Sequence, residues 1–232
     1  MAQTLLISGT DHGVGAALVR LFSERGDTVF AGVLGASSRE ILPSGGVVYW
    51  VPLDIGSDAG VAQAAEFVRT KTDHLDLIIN NGAILGDIDS TLFDRLDFDQ
   101  MLKVYNVNTL GSLRVTQAFL GLLLAGQEKL VVNVSSEAGS LGTCHRKNWY
   151  AYAMAKAALN MQSCLVHNLL EDHGGRVLVV HPGHVRTYMR GEVDVTGALS
   201  PGEAAEAIGE NIKNSRPGAL EFRGPDGELI PW

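Results

Sequence analysis

Thr4-Leu5-Leu6-Ile7-Ser8-Gly9-Thr10-Asp11-His12-Gly13-Val14-Gly15 opens the chain almost at once. An apolar run of strand length passes into a loop with three glycines, and a helical pattern over Val14–Arg25 follows. That order makes an anion site, because the first backbone N–H groups of a helix point outward and its dipole favours negative charge. Gly9 allows the tight turn, Gly13 lets a phosphate approach the backbone, and Gly15 lets helix and strand pack closely. Asp11, His12 and Val14 complete the expected lining for a dinucleotide pyrophosphate. An ordinary turn would use the same residue types, and three glycines in a chain that has 27 are a modest signal. Their position directly after the first strand strengthens it.

Outward from this stretch, short apolar runs alternate with longer helical patterns. The runs Thr4–Ile7, Thr28–Val33, Val47–Val51, Leu75–Asn80, Leu130–Val134, Val177–His181 and Leu220–Arg223 read as strands buried on both faces. Val14–Arg25, Asp58–Lys71, Phe98–Leu124, Tyr150–Glu171 and Pro201–Asn214 read as helices, the last capped by Ser200. The expected fold is α/β: a Rossmann-type three-layer sandwich with a central parallel sheet of about seven strands and helices on both faces. No linker or repeat divides the sequence, so residues 1–232 are expected to form one domain carrying its own substrate loop at about 185–200.

Composition narrows the function. Lys and Arg number 18 against 26 Asp and Glu, a net charge of −8, which argues against a nucleic-acid partner. The longest greasy stretch, Ala118–Ala125, is far short of a membrane span, and the N-terminus lacks a secretory pattern, so a cytoplasmic location is expected. Cys144 and Cys164 have no metal-binding spacing and read as small buried hydrophobes; no metal site is expected. Helices 98–124 and 150–171 are apolar on more than one face, which predicts a homodimer or homotetramer formed through them, with burial inside the monomer as the alternative.

Tyr152-Ala153-Met154-Ala155-Lys156 is the sharpest chemical feature. Residues four apart share a helix face, so a phenol and an ammonium stand close together. A nearby cation favours phenolate, which would lower the phenol pKa from its usual value near 10 and suit Tyr152 to give or take a proton.

The glycine spacing G-x-x-x-G-x-G, the Tyr-x-x-x-Lys pair and the Ser135-Ser136-Glu137-Ala138-Gly139 stretch before it resemble the short-chain dehydrogenase/reductase family. The stretch Cys144–Trp149 and the terminal Gly224–Trp232 resemble its branch of C-factor-like proteins and carbonyl reductases. The resemblance implies a catalytic set of Asn108, Ser136, Tyr152 and Lys156. Ser136 would steady the substrate oxygen, Lys156 would also hold the nicotinamide ribose, and Asn108 would bend its helix and bind a relay water. Ser135 is the neighbouring alternative, expected to bond backbone instead. Asp54 and Ile55 would meet the adenine, although Asp54 equally suits a turn before Ser57. Asn81, Gly82 and Ala83 would let the cofactor lie close. Pro182, Gly183, Val185 and Thr187 would hold the nicotinamide, and Tyr188–Gly197 reads as a flap over the substrate.

Residues 28–38 carry no acid that would repel a 2′-phosphate, so NADP is the expected cofactor, with NAD possible and His12, Ser37, Ser38 and Arg39 as candidate phosphate contacts. The implied activity is hydride exchange with a small carbonyl or alcohol substrate held by Leu85, Leu141, Trp149 and Met189. His145 is a second candidate base, though a loop histidine needs no such role. The rival reading is a cofactor-binding signalling or sensor protein of the C-factor type with incidental catalysis.

Overall fold

A computed structural model describes residues 2–35, 45–189, 191 and 193–232. Its strands are β1 (Thr4–Ile7), β2 (Thr28–Val33), β3 (Val47–Pro52), β4 (Leu77–Asn80), β5 (Leu130–Val134), β6 (Arg176–Val180) and β7 (Glu221–Arg223). Its helices are α1 (Gly13–Glu24), α2 (Asp58–Arg69), α3 (Phe98–Tyr105), α4 (Ser112–Ala125), α5 (Tyr150–Glu171) and α6 (Pro201–Lys213). The strands pair in parallel in the order β3-β2-β1-β4-β5-β6-β7. The order reverses between β1 and β4, and in such sheets ligands bind beyond the carboxyl ends of the strands at that point.

Successive residues of a strand face opposite layers. Leu5 and Ile7 pack with Leu18, Val19 and Phe22 of α1 and Ala205 and Ile208 of α6. Leu6 and Ile78 turn the other way, onto Val61 and Ala65 of α2 and Val115 and Phe119 of α4. The three layers of the expected sandwich are thus present. Their helix ends follow the sequence: Ser57 caps α2, and Ser200 forms a reciprocal capping pair with Glu203 around Pro201. Across the layer boundary runs a buried polar chain. Asn80 donates to Thr116 Oγ1 (3.1 Å) and Asn133 Oδ1 (2.8 Å), and Asn133 donates to Ser163 Oγ (2.8 Å).

Several element ends shift from expectation by one or two residues, and two differences have a visible cause. β4 begins at Leu77 rather than Leu75, because Asp76 turns its carboxylate onto the Thr4 and Gln127 amides. The helix expected over 98–124 is interrupted by a wide π turn at Asn106–Gly111. Cross-links hold that turn: Asn106 donates to the Gly56 carbonyl (3.0 Å), and the Asn108 amide bonds both the N–H and the carbonyl of Ile84 (2.8 Å each). The cysteine reading is corrected as well. Cys144 is exposed and Cys164 only partly buried, since both lie on the outer side of their segments. Met161, Leu165 and Leu169 of α5 and Phe98 and Leu102 of α3 are exposed despite their apolar character. No helix among the described residues is long and apolar enough to cross a membrane.

Candidate active site

The glycine loop is locked onto the end of β4. The Ser8 hydroxyl accepts from the Asn81 and Gly82 amides (3.1 and 3.2 Å), and Asn81 Nδ2 donates back to the Gly9 carbonyl (2.9 Å). Gly9 has φ +67°, and a Cβ there would stand 2.5 Å from Gly82 Cα. A Cβ on Gly15 would meet the Gly9 carbonyl oxygen at 2.1 Å, so Gly15 serves the packing beneath the loop, as its sequence position implied. His12 precedes α1 without capping it, so the first amides of that helix have no side-chain acceptor.

One carboxylate stands where the sequence reading looked for it and found none. Asp11 leaves the glycine loop and accepts hydrogen bonds from Leu34 N–H (3.0 and 3.1 Å) and Gly35 N–H (3.1 Å) just past β2. An acid at the end of β2 is thus supplied from 23 residues upstream, which a scan of residues 28–38 could not find. Ser37, Ser38 and Arg39 lie outside the described residues. Asp54 accepts from Gly56 N–H (2.9 Å), making the expected turn, while also lining the cleft.

The carboxyl end of β5 and the first turns of α5 bring the chemical groups together. Ser136 is buried and caps a short 3-10 turn, its hydroxyl accepting from Ala138 N–H (3.2 Å). Ser135 instead donates to Asn160 Oδ1 (2.6 Å), a side chain and not the backbone partner expected. Lys156 is buried with its amine donating to the Val134 carbonyl (2.8 Å) and lying 5.5 Å from the centre of the Tyr152 ring. Burial pushes the Tyr152 phenol up to about 12, with a hydrogen-bonding interaction from Ser136 acting the other way. Burial also pushes the Lys156 amine down to about 7. Desolvation is the largest influence on the phenol; it runs against the expected acidification and weakens the Lys156 cation as well.

The segment after β6 closes the far side. Thr187 lies over the glycine loop, with its methyl 3.3 Å from where a Gly13 Cβ would be. Tyr188 meets the His12 ring edge-on at 6.3 Å. His184 pairs with Asp194 (2.9 Å), and Arg186 N–H donates to the Leu199 carbonyl (2.9 Å), tying the base of the segment together. His181 Nδ1 is buried and has no hydrogen-bond partner among the described residues, and burial pushes its pKa down, keeping the ring neutral.

A cleft of about 1540 Å³ joins these parts. Gly9, Asp11, His12, Gly13 and Val14 line one end, with Asp54, Ile55, Asn81, Gly82 and Ala83 beside them. Ser136, Tyr152 and Lys156 line the other end, under Pro182, Gly183, Val185 and Thr187. Leu85, Trp149 and Met189 face it as expected, but Leu141 does not: it is 82% exposed, beyond the turn after Ser136. His145 is exposed and does not line it either. Asn108 lies outside the lining, its amide spent on Ile84. Glu137, Arg146 and His181 do line it, and only their folding, not their spacing, reveals that. A dinucleotide fits this set. The glycine cradle has no room for a Cβ at its tightest points, the α1 amides lack a side-chain acceptor, and His181 Nδ1 is a buried polar atom in need of a partner. Among the described residues no group of three or more metal-ligating side chains occurs.

Comparison with known proteins agrees with this geometry. A profile of the family described as short chain dehydrogenase matches residues 3–196. The chain is 31% identical over 234 aligned positions to the 1-hydroxy-2-glutathionyl-2-methyl-3-butene dehydrogenase of Rhodococcus sp. (strain AD45), covering 99% of this chain and 100% of that one. It is 38% identical to the C-signal protein of Myxococcus xanthus, but over 120 residues, 52% of this chain and 71% of that one. Among solved structures, NADPH-bound carbonyl reductase from chicken fatty liver superposes with a TM-score of 0.86 at 26% identity, covering 100% of this chain and 99% of the other.

Proposed function

The chain belongs to the short-chain dehydrogenase family, and from that premise we propose that it interconverts carbonyl compounds and alcohols by hydride transfer, with NADP(H) as cofactor and NAD(H) as the second candidate. The observation that carries this reading is the meeting of Ser136, Tyr152 and Lys156 in the same cleft as the glycine cradle. The NADPH of the chicken carbonyl reductase supports the phosphorylated cofactor.

When bound, the nicotinamide would supply or accept the hydride at the substrate carbon. Everything else falls to the protein. Tyr152, pushed up to about 12, is protonated at neutral pH and stands ready as a general acid toward a carbonyl oxygen. That state favours the direction of reduction. Ser136 steadies the same oxygen through its hydroxyl. Lys156, at about 7, changes charge near neutrality and serves to hold the nicotinamide ribose and to return a proton toward Tyr152. Asn108, with its amide committed to Ile84, would reach a relay water only through its backbone carbonyl. The segment at about 185–200 is the substrate loop of the single domain.

The exposed apolar stripes of α3 and α5 favour self-association into a homodimer or homotetramer through these helices, α4 included. The signalling alternative draws on a match to only 52% of the chain, so the enzymatic reading stands ahead of it.

The test is a fluorescence titration with NADPH and with NADH, followed by a screen of carbonyl compounds for oxidation of the bound reduced form. Binding followed by oxidation is the expected result. A protein that binds neither dinucleotide would refute the reading.

A further inference from the structure

Three side chains across the mouth of the cleft form a continuous brace that the reaction itself does not require. Glu137 follows Ser136 on the 3-10 turn, and both its oxygens accept from the Arg146 guanidinium (2.8 and 2.6 Å). The same guanidinium lies 4.9 Å from the centre of the Trp149 ring. Trp149 in turn meets Tyr152 edge-on at 6.0 Å. The brace therefore runs from the turn that carries Ser136 to the helix that carries Tyr152.

The backbone shows that this arrangement is held. Trp149 has φ +66°, in the left-handed region that a bulky side chain rarely adopts. Such a conformation persists only where surrounding contacts enforce it. The contacts present are the stack on Arg146, the packing of Trp149 in the cluster of Leu85, Ala138 and Tyr152, and the Ala153 N–H bond to its carbonyl (2.9 Å).

We propose that Arg146 is a positioning residue that, by bridging Glu137 to Trp149, fixes the indole as the wall of the substrate site and gives the enzyme a preference for uncharged carbonyl compounds carrying a flat, apolar substituent. The inference rests on the hydride-transfer reading of the cleft and names the substrate class for it. An isolated, partly exposed ion pair would contribute little, but a two-point bond that also stacks on a ring fixes an orientation. Because Glu137 already neutralises the guanidinium, Arg146 is not available as a seat for an anionic substrate. What stands against the Tyr152 ring on this side is indole, with Leu85 and Ile88 in the same cluster.

The experiment compares the wild type, Arg146→Met and Trp149→Phe. The near-ultraviolet circular dichroism difference between the wild type and Trp149→Phe isolates the signal of the held indole. Arg146→Met is expected to lose most of that signal while far-ultraviolet dichroism stays unchanged; a retained signal overturns the brace. In steady-state reduction with NADPH, the kcat/KM ratio of acetophenone to butan-2-one is expected to fall roughly tenfold in Arg146→Met. An equal loss for both ketones, as a general structural defect would give, overturns the specificity role. NADPH titration of the same preparations reports separately on hydride transfer: a failure to bind refutes that reading, and the indole signal still decides the brace.

Discussion

The Lys156 amine lies 5.5 Å from the centre of the Tyr152 ring yet spends a hydrogen bond on the Val134 carbonyl, so the two residues of the helical pair are neighbours without being direct partners. Their burial sets both proton affinities, in opposite senses: the phenol holds its proton more tightly and the amine less so. This makes Tyr152 a resting acid, and a bound oxidised nicotinamide, being cationic, is the natural agent to reverse that bias for alcohol oxidation.

Tyr152→Phe removes the proton donor and leaves the ring. The expected result is a loss of kcat of about 10²–10⁴-fold, the usual worth of a positioned general acid, with NADPH binding retained. Steady-state kinetics beside a fluorescence titration decides it. Undiminished turnover would place the acid elsewhere.

The Lys156 shift carries a signed consequence for stability. The folded amine titrates near 7 and the unfolded one near 10.5, so between these values the unfolded chain binds the extra proton. Its burial therefore destabilises the fold fully below pH 7, and that penalty fades as pH rises toward 10.5. Urea unfolding of the wild type and Lys156→Met at pH 7 and pH 9 should show the difference moving in favour of the wild type, by at most about 1.4 kcal/mol per pH unit. A flat difference would mean that the amine keeps its ordinary affinity.

Asp11 places negative charge just past β2 through its bonds to the Leu34 and Gly35 amides. Asp11→Asn keeps the size and removes the charge. NADPH is expected to bind roughly fivefold more tightly relative to NADH, the scale of an exposed charge interaction. Parallel titrations measure the ratio, and an unchanged ratio would confine Asp11 to shaping the loop.

Gly15→Ala forces a methyl into the Gly9 carbonyl and to within 2.6 Å of Asn81 Nδ2. The loop must shift, and NADPH affinity should fall at least about tenfold, with secondary structure retained by circular dichroism. Normal affinity would show that the cradle is more pliant than its contacts imply.

Asn133→Ala breaks the buried chain at its centre, taking an acceptor from Asn80 Nδ2, which keeps Thr116, and a donor from Ser163 Oγ, which keeps the Leu159 carbonyl. Each lost hydrogen bond between neutral groups is worth about 0.5–1.5 kcal/mol. Thermal unfolding should shift down by several degrees; an unshifted midpoint would mean that the partners re-pair.

Much of the architecture was legible because the central strands of a parallel sheet, buried on both faces, write themselves as apolar runs, while the edge strands β3 and β7 are only partly buried. The run over Leu130–Val134 needed no context, and neither did the cap at Ser200. Asn106–Gly111 was legible only as a helix, since a π turn keeps the same apolar periodicity and differs in cross-links to Gly56 and Ile84 that lie far away in sequence. At the site, Tyr152 and Lys156 declared themselves by spacing, but their proton affinities did not, because desolvation depends on what covers them. Asp11 hid its position for a similar reason: its partners Leu34 and Gly35 are joined to it by the fold alone. Leu141 shows the converse error, a greasy loop residue near the catalytic serine in sequence that points to solvent.

The wide turn at Asn106–Gly111 also bears on how this chain tolerates shortening. Removing one residue there would let α3 and α4 merge into a regular helix, and the backbone would lose little by it. The cost would fall inside the turn: a π turn takes up one extra residue while the flanking helices keep their phase, so Phe119 and Leu123 would stay in the core and the Asn106–Gly56 and Asn108–Ile84 bonds would be lost. An irregularity that looks removable is thus what aims two asparagine amides at segments that a regular helix would leave unbonded.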